Sequence, residues 1–212
     1  FDSDNGSKMN IVITSNNMDY FKYFRLDSND KGTFSITTQF PSNGTYRILT
    51  AFKPYDANEQ RFTFFTQVGS QPPNVSIMST SFRTTPEFIA SKTVGEYRVR
   101  LEKSIYNASN IQDQELKFNI SNAVTGKPVT TLNFLDNTRT YGDVILFDYI
   151  RNYFVIPLPI TNPQITNGQG GPLLRFKLRE NDKPILKGYY KVFFEFKPEN
   201  EMLTADFIIQ IL

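Results

Sequence analysis

Gly44-Thr45-Tyr46-Arg47-Ile48-Leu49-Thr50-Ala51-Phe52-Lys53-Pro54 returns near the other end of the chain as Gly188-Tyr189-Tyr190-Lys191-Val192-Phe193-Phe194-Glu195-Phe196-Lys197-Pro198. Both stretches hold Gly, Tyr, a basic residue, a β-branched residue and Phe-Lys-Pro at one spacing. A run this short, rich in aromatic and β-branched side chains and stopped by proline, reads as a strand entered through a glycine turn. Two such strands imply two related domains. In the first, period-two alternation puts Tyr46, Ile48, Thr50 and Phe52 on one face and Arg47, Leu49, Ala51 and Lys53 on the other. The tyrosine face is expected to be the buried one.

The flanking sequence repeats as well. Met9-Asn10-Ile11-Val12-Ile13 through Asp19-Tyr20-Phe21 aligns without a gap on Gly142-Asp143-Val144-Ile145-Leu146 through Asn152-Tyr153-Phe154, and residues 204–212 match 61–68. Further strands are expected at 20–26, 95–103, 114–120 and 129–134. Another is expected at 33–40, where Phe34, Ile36 and Thr38 alternate with Ser35, Thr37 and Gln39. Between the copies, Gln71-Pro72-Pro73 and Thr85-Pro86 interrupt a stretch of weak alternation that reads as a linker, with at most one short strand at 75–78. The predicted division is residues 1–69 as an incomplete first domain, 70–94 as linker and 95–212 as a complete second domain. The first copy lacks counterparts of 95–103 and 114–134. A sheet pair short of strands exposes core and unpaired edges, so something must cover it.

In immunoglobulin-like sandwiches a tyrosine near the start of the penultimate strand turns its hydroxyl back onto upstream backbone, and the residue two places on enters the core. Gly44 with Tyr46, and Gly188 with Tyr190, fit this structural corner, with Ile48 and Val192 as the core residues. The fold class expected is all-β, as two tandem immunoglobulin-like or cupredoxin-like β-sandwiches, the first lacking its initial strands.

Composition removes several chemistries. The 212 residues include no Cys and no His, which excludes zinc sites of the usual ligand sets, histidine-ligated haem, thiolate nucleophiles and every Ser-His-Asp arrangement. Net charge is +2, and Lys and Arg alternate with apolar residues as on the solvent faces of strands. Lys22 and Arg25 beside Tyr23 are read in that way, and no nucleic-acid partner is expected. No apolar run reaches the ~20 residues of a membrane-spanning helix. The chain starts at Phe1 with nothing like a signal sequence, so either a leader has been removed or upstream residues precede it. Asn-x-Ser/Thr sequons stand at Asn5, Asn43, Asn74, Asn107 and Asn119. About three would arise by chance in so Asn-, Ser- and Thr-rich a chain, so these possible glycosylation sites lend slight support to a secretory route.

The motif series resembles a family of secreted bacterial-type proteins built from tandem immunoglobulin- or cupredoxin-like sandwiches. The resemblance lies in Lys8-Met9-Asn10-Ile11-Val12-Ile13, Asp19-Tyr20-Phe21, Gly32-Thr33-Phe34, Phe40-Pro41-Ser42-Asn43-Gly44-Thr45-Tyr46-Arg47 and Phe52-Lys53-Pro54. In the second copy it lies in Gly126-Lys127-Pro128-Val129, Tyr153-Phe154, Gly188-Tyr189-Tyr190 and Thr204-Ala205-Asp206-Phe207. It implies a sandwich fold and an extracellular or cell-surface setting. The family pattern includes Phe-x-His-x-His-Pro, and at its histidine positions this chain has Asn10, Tyr23 and Arg25, then Asp143, Ile156 and Leu158. Ile and Leu have no donor atoms and Arg is always cationic, so no metal site and no cofactor carries over.

These readings predict a protein without catalytic activity, a structural or interaction module such as a fibre or coat subunit. Its partner is expected to be protein, through self-association in which a neighbouring strand completes the first domain. Upstream residues of the same chain would serve equally. An alternative is an extracellular carbohydrate- or ligand-binding module using exposed aromatics and the Asn/Gln-rich loop 161–171. Carboxylate chemistry would have to come from Asp27, Asp30, Asp143 and Asp148, and Asp27 with Asp30 could instead form a calcium loop without the Gly and distal Glu of an EF-hand.

Overall fold

The computed structural model describes residues 8–27, 32–70, 90–107, 109, 114–135, 140–148, 150–160, 171–180 and 183–212. These residues are all-β, with no helix among them. The chain divides into two compact units, Phe1–Pro86 and Glu87–Leu212.

The first unit holds one antiparallel sheet of β1 (Met9–Ser15), β2 (Phe21–Leu26), β3 (Gly44–Phe52) and β4 (Gln60–Val68), in the order β2-β1-β3-β4. The second unit contains the same sheet again. Its strands are β10 (Gly142–Asp148), β11 (Tyr153–Val155), β15 (Gly188–Pro198) and β16 (Leu203–Ile211), in the order β11-β10-β15-β16. The registers also coincide. Met9 faces Phe52 as Gly142 faces Phe196, Thr14 faces Phe21 as Phe147 faces Phe154, and Tyr46 faces Thr66 as Tyr190 faces Ile209. A one-residue slip would turn each strand over, so gapless sequence alignment and identical register are one fact seen twice.

The second unit adds a facing sheet of β5 (Ser91–Val94), β6 (Tyr97–Leu101), β8 (Glu115–Asn122) and β12 (Leu173–Lys177), ordered β12-β8-β6-β5. The short β7 (Ile105–Tyr106) runs parallel to the outer edge of β16, and β9 (Leu132–Asn133) pairs with the end of β15. A small hairpin, β13 (Arg179–Glu180) with β14 (Lys183–Pro184), completes the set. The orders β10-β15-β16 and β6-β8-β12 are the C-F-G and A-B-E orders of an immunoglobulin-type sandwich. Alternate residues of both sheets meet in one core: Val99, Leu116 and Phe118 from one side, Val144, Tyr190 and Phe194 from the other. Phe118 stacks on Phe194 with ring centroids 4.2 Å apart, and Phe176 meets Phe194 edge-on at 6.0 Å. Gly142 permits this closeness, because a Cβ there would lie 2.9 Å from both Leu174 and Phe194. At the same register position the first unit carries Met9, whose side chain packs against its own sheet.

Three expectations are revised. Residues 33–40 form no ladder, although their burial alternates as a strand's does, with Phe34, Ile36, Thr38 and Phe40 half-buried between exposed neighbours. The alternation is that of a strand, but the segment pairs with none of β1–β4, whereas the counterpart segment of the second unit, β12, pairs with β8. The end of the expected linker, Ser91–Val94, is instead the edge strand β5, paired with β6. The tyrosine face of β3 is not the only buried face, since Arg47, Leu49 and Ala51 are buried while Ile48 and Phe52 are half-buried. Residues 75–78 and most of the loop 161–171 lie outside the described residues.

Candidate interaction surface

Alternation along β4 turns Phe62, Phe64, Thr66 and Val68 towards the face on which Tyr46, Ile48 and Phe52 lie. Their register counterparts in the second unit are Ala205, Phe207, Ile209 and Ile211, all fully buried in the core under the facing sheet. In the first unit Phe62 is 48% exposed and Phe64 54%. Phe52 stacks on Phe62 at 5.9 Å and Phe62 on Phe64 at 6.3 Å, so the three rings make a continuous row on open surface. Phe65, next in sequence, points to the opposite face, where the Arg47 guanidinium lies 5.8 Å from its ring centre.

The edge of β4 differs from that of β16 as well, among the described residues. The outer side of β16 is occupied by β7, with Gln210 facing Ile105 and Ile211 facing the buried Tyr106. Among the described residues β4 pairs on one side only, with β3. Sheets usually blunt their edges with short strands, charge or proline. The second unit does so: β11 and β7 are short, β5 carries Lys92, and β12 carries Lys177 and Arg175, the latter held by Glu115 at 2.6 Å. β4 runs for nine residues with one charge, Arg61, which Glu59 pairs. The stretch Arg61-Phe62-Thr63-Phe64-Phe65 signals its composition in sequence, but alternation looks the same on a covered face and an open one.

Near the start of β3, a segment over 32–43 lies on the tyrosine face, with Ile36 and Phe40 packed on the small core of Ile11, Ile13 and Tyr46. The Tyr46 ring contacts Phe40 at 4.6 Å and Tyr20 edge-on at 5.6 Å. Tyr46 Oη donates to the Ser42 carbonyl at 2.8 Å, and Tyr190 Oη to the Leu186 carbonyl at 2.7 Å, each four residues upstream. The glycines two residues before these tyrosines have φ of +146° at Gly44 and +154° at Gly188, a region that side-chain-bearing residues rarely adopt. The pair therefore recurs for a geometric reason: the glycine turns the chain and the tyrosine ties the turn down.

Asn10, Tyr23 and Arg25 converge in the first unit. Tyr23 Oη donates to Asn10 Oδ1 at 2.8 Å and accepts from Arg25 Nε at 3.1 Å, with the Arg25 guanidinium 5.3 Å from the Tyr23 ring centre. This is a hydrogen-bonded set that contains a guanidinium cation. In the second unit Asp143 accepts from Thr140 Oγ1 at 3.3 Å, while Ile156 and Leu158 supply no donor. No group of three or more acidic, His or Cys side chains suited to a metal occurs among the described residues.

Asp143 and Asp148, the two candidate carboxylates on β10, do not form a pair. Asp30 lies outside the described residues, and Asp27 is exposed just past the end of β2. Asp143 and Asp148 are five residues apart on β10, about 17 Å along a strand, beyond the ~5–9.5 Å of a two-carboxylate mechanism. Asp148 accepts from the Ile150 and Arg151 amides at 3.0 Å each and from the Arg151 guanidinium. That bond and the carboxylate's charge raise the Arg151 pKa. Arg151 also donates to the Lys187 carbonyl at 3.1 Å, so Asp148 braces the turn beside Gly188. Asp143 faces Glu195 across the ladder, both are buried, and both have other partners.

Of the sequons, Asn43, Asn107 and Asn119 are exposed, whereas Asn5 and Asn74 lie outside the described residues. Asn43 packs against Gly69, and Asn107 Oδ1 accepts from the Ser109 amide at 3.0 Å. Comparison of the sequence with protein-family models and with curated proteins finds no match.

Proposed function

We propose that this chain is a non-catalytic structural or interaction protein of the cell exterior, a subunit of an assembly such as a fibre or coat, whose first unit is completed by a strand from a neighbouring protein. The observation that carries the reading is the exposure of Phe62 and Phe64 at ladder positions where the second unit buries Ala205 and Phe207. Burying one such phenylalanine stabilises an interface by about 1.5–3 kcal/mol, and an open strand edge supplies main-chain hydrogen bonds to go with it. The extracellular placement draws support from the motif resemblance and the exposed sequons. Sedimentation and electron microscopy of native material test the reading. A regular assembly, dispersed by loss of the β4 aromatics, is expected. A native protein that is strictly monomeric with an intact first unit overturns it.

A further inference from the structure

Thr63 stands at the centre of a symmetric arrangement of side chains on β4. On either side of it are Phe62 and Phe64, which lie on one face of the sheet, exposed and stacked at 6.3 Å. One step further out are Arg61 and Phe65, on the opposite face with Thr63 itself. Thr63 and Phe65 are exposed, and the Arg61 guanidinium is held by Glu59 within the chain. Among the described residues no strand pairs with the outer side of β4, whereas in the second unit β7 lies against the outer side of β16. A nine-residue edge that is aromatic on both faces and carries a single charge lacks the devices that keep strands from pairing edge to edge.

This symmetry names the neighbour that the proposed function leaves open, and the step rests on that reading. We infer that the strand added to the first unit is β4 of a second copy, run antiparallel about a two-fold axis through Thr63. Directly opposite residues of neighbouring strands share a face, so a two-fold axis normal to the sheet passes through a residue and not between two. With the axis at Thr63, Phe62 of each copy faces Phe64 of the other, and four rings form one row across the junction. On the opposite face Arg61 of each copy faces Phe65 of the other, which sets a guanidinium against a ring. An axis at Phe64 would instead set Phe62 against Thr66 and Phe65 against Thr63, and an axis at Phe62 would set Phe64 against Gln60. Only the axis at Thr63 gives aromatic pairs directly opposite, which are among the favourable cross-strand contacts. The two first units then share one sheet in the order β2-β1-β3-β4-β4-β3-β1-β2. Such a contact closes on itself, so a longer assembly needs a second contact elsewhere on the chain.

The test uses the full chain, which has no cysteine, so a single introduced thiol reports its own position. On oxidation Thr63→Cys is expected to lock the dimer through a disulfide, because residues on the axis lie about 4.5–5.5 Å apart between Cα atoms. Gln67→Cys, also at an exposed position, should not link, since its two copies stand about 27 Å apart along the strands. Sedimentation of the full chain reads the affinity. Phe62→Lys and Phe64→Asp should each weaken self-association at least about tenfold. Mixed in equal amounts they should associate again, to within about threefold of the parent, because the introduced lysine of one faces the introduced aspartate of the other. That recovery also shows that both variants fold. A dimer that links at position 67, or at neither position, overturns this register, as does a mixture no tighter than either variant alone. A chain that is monomeric by itself and assembles only with a different protein overturns the second copy and leaves the functional reading standing. A chain that is monomeric in native material as well overturns both.

Discussion

Phe64 holds in the first unit the ladder position that Phe207 holds in the second, and the two differ in cover: Phe64 is 54% exposed and Phe207 1%. Both sit on a last strand, opposite a strand that begins with a glycine and a tied-down tyrosine, in sheets of one order and one register. What surrounds them is different. Phe207 lies 5.9 Å from Phe118 of the facing sheet, whereas Phe64 stacks on Phe62 of its own strand at 6.3 Å.

The two corners should respond alike. Tyr190→Phe removes the 2.7 Å bond to the Leu186 carbonyl, and Tyr46→Phe the 2.8 Å bond to the Ser42 carbonyl. Each is expected to cost about 1 kcal/mol, the usual net value of one such bond. Gly188→Ala should cost more, about 1–3 kcal/mol, because φ is +154° there and a Cβ would lie 3.2 Å from the Arg151 guanidinium. Urea unfolding followed separately for each unit measures all three.

Gly142 and Met9 occupy one register position and should show opposite tolerances. Gly142→Ala places a methyl group 2.9 Å from Leu174 and Phe194, and overpacking of this kind costs about 1–3 kcal/mol. Met9→Ala only trims a half-buried side chain, and should cost less than the 2–5 kcal/mol typical of a buried methionine, roughly 1 kcal/mol. Adding one methyl to the second unit is thus expected to do at least as much harm as removing most of a side chain from the first.

The repeat was legible in sequence because register follows from side-chain alternation, and alternation survives in the residues themselves: Ile11 and Ile13 answer Val144 and Leu146. The corner was legible because only glycine accepts the φ that precedes each tyrosine. Other features left no such trace. A strand of two residues such as β7 has no period to detect. Residues 33–40 have the period of a strand without a ladder, since pairing depends on a neighbour that the local sequence does not contain. The burial of Leu49 and Ala51 and the exposure of Phe62 and Phe64 both depend on what covers a face, and a face of phenylalanines reads alike whether it is covered or open.

Asp206 on β16 bonds Lys191 on β15 and Lys92 on β5, tying the two sheets of the second unit together. Burial pushes its carboxyl pKa up, but the hydrogen bonds and charges of the two lysines outweigh burial and hold it below the usual carboxylate range. A depressed folded-state pKa means that the unfolded chain binds the proton more tightly. The resulting stability is fully present above the unfolded value of about 3.9 and is lost as pH falls through the folded value. Asp206→Asn is therefore expected to unfold at lower urea concentration than the parent at pH 7, with the gap closing below about pH 3.9. A gap that stays constant with pH would mean that the aspartate contributes by packing alone.

Exposure of the β4 rings makes a prediction that runs against their size. Core phenylalanines cost about 3–5 kcal/mol on truncation, and Phe207→Ser should cost at least that, since it also leaves a hydroxyl in an apolar core. Phe62→Ser with Phe64→Ser removes two rings from open surface, so the isolated chain should change by no more than about 0.5 kcal/mol per site. A long, apolar, unprotected edge also promotes association. The double variant should accordingly scatter less light at high concentration and bind less of a dye that reports apolar surface, while its unfolding midpoint stays near that of the parent. A loss of several kcal/mol in the double variant would mean that the two rings are covered in solution, and a covered β4 has no place for a donated strand.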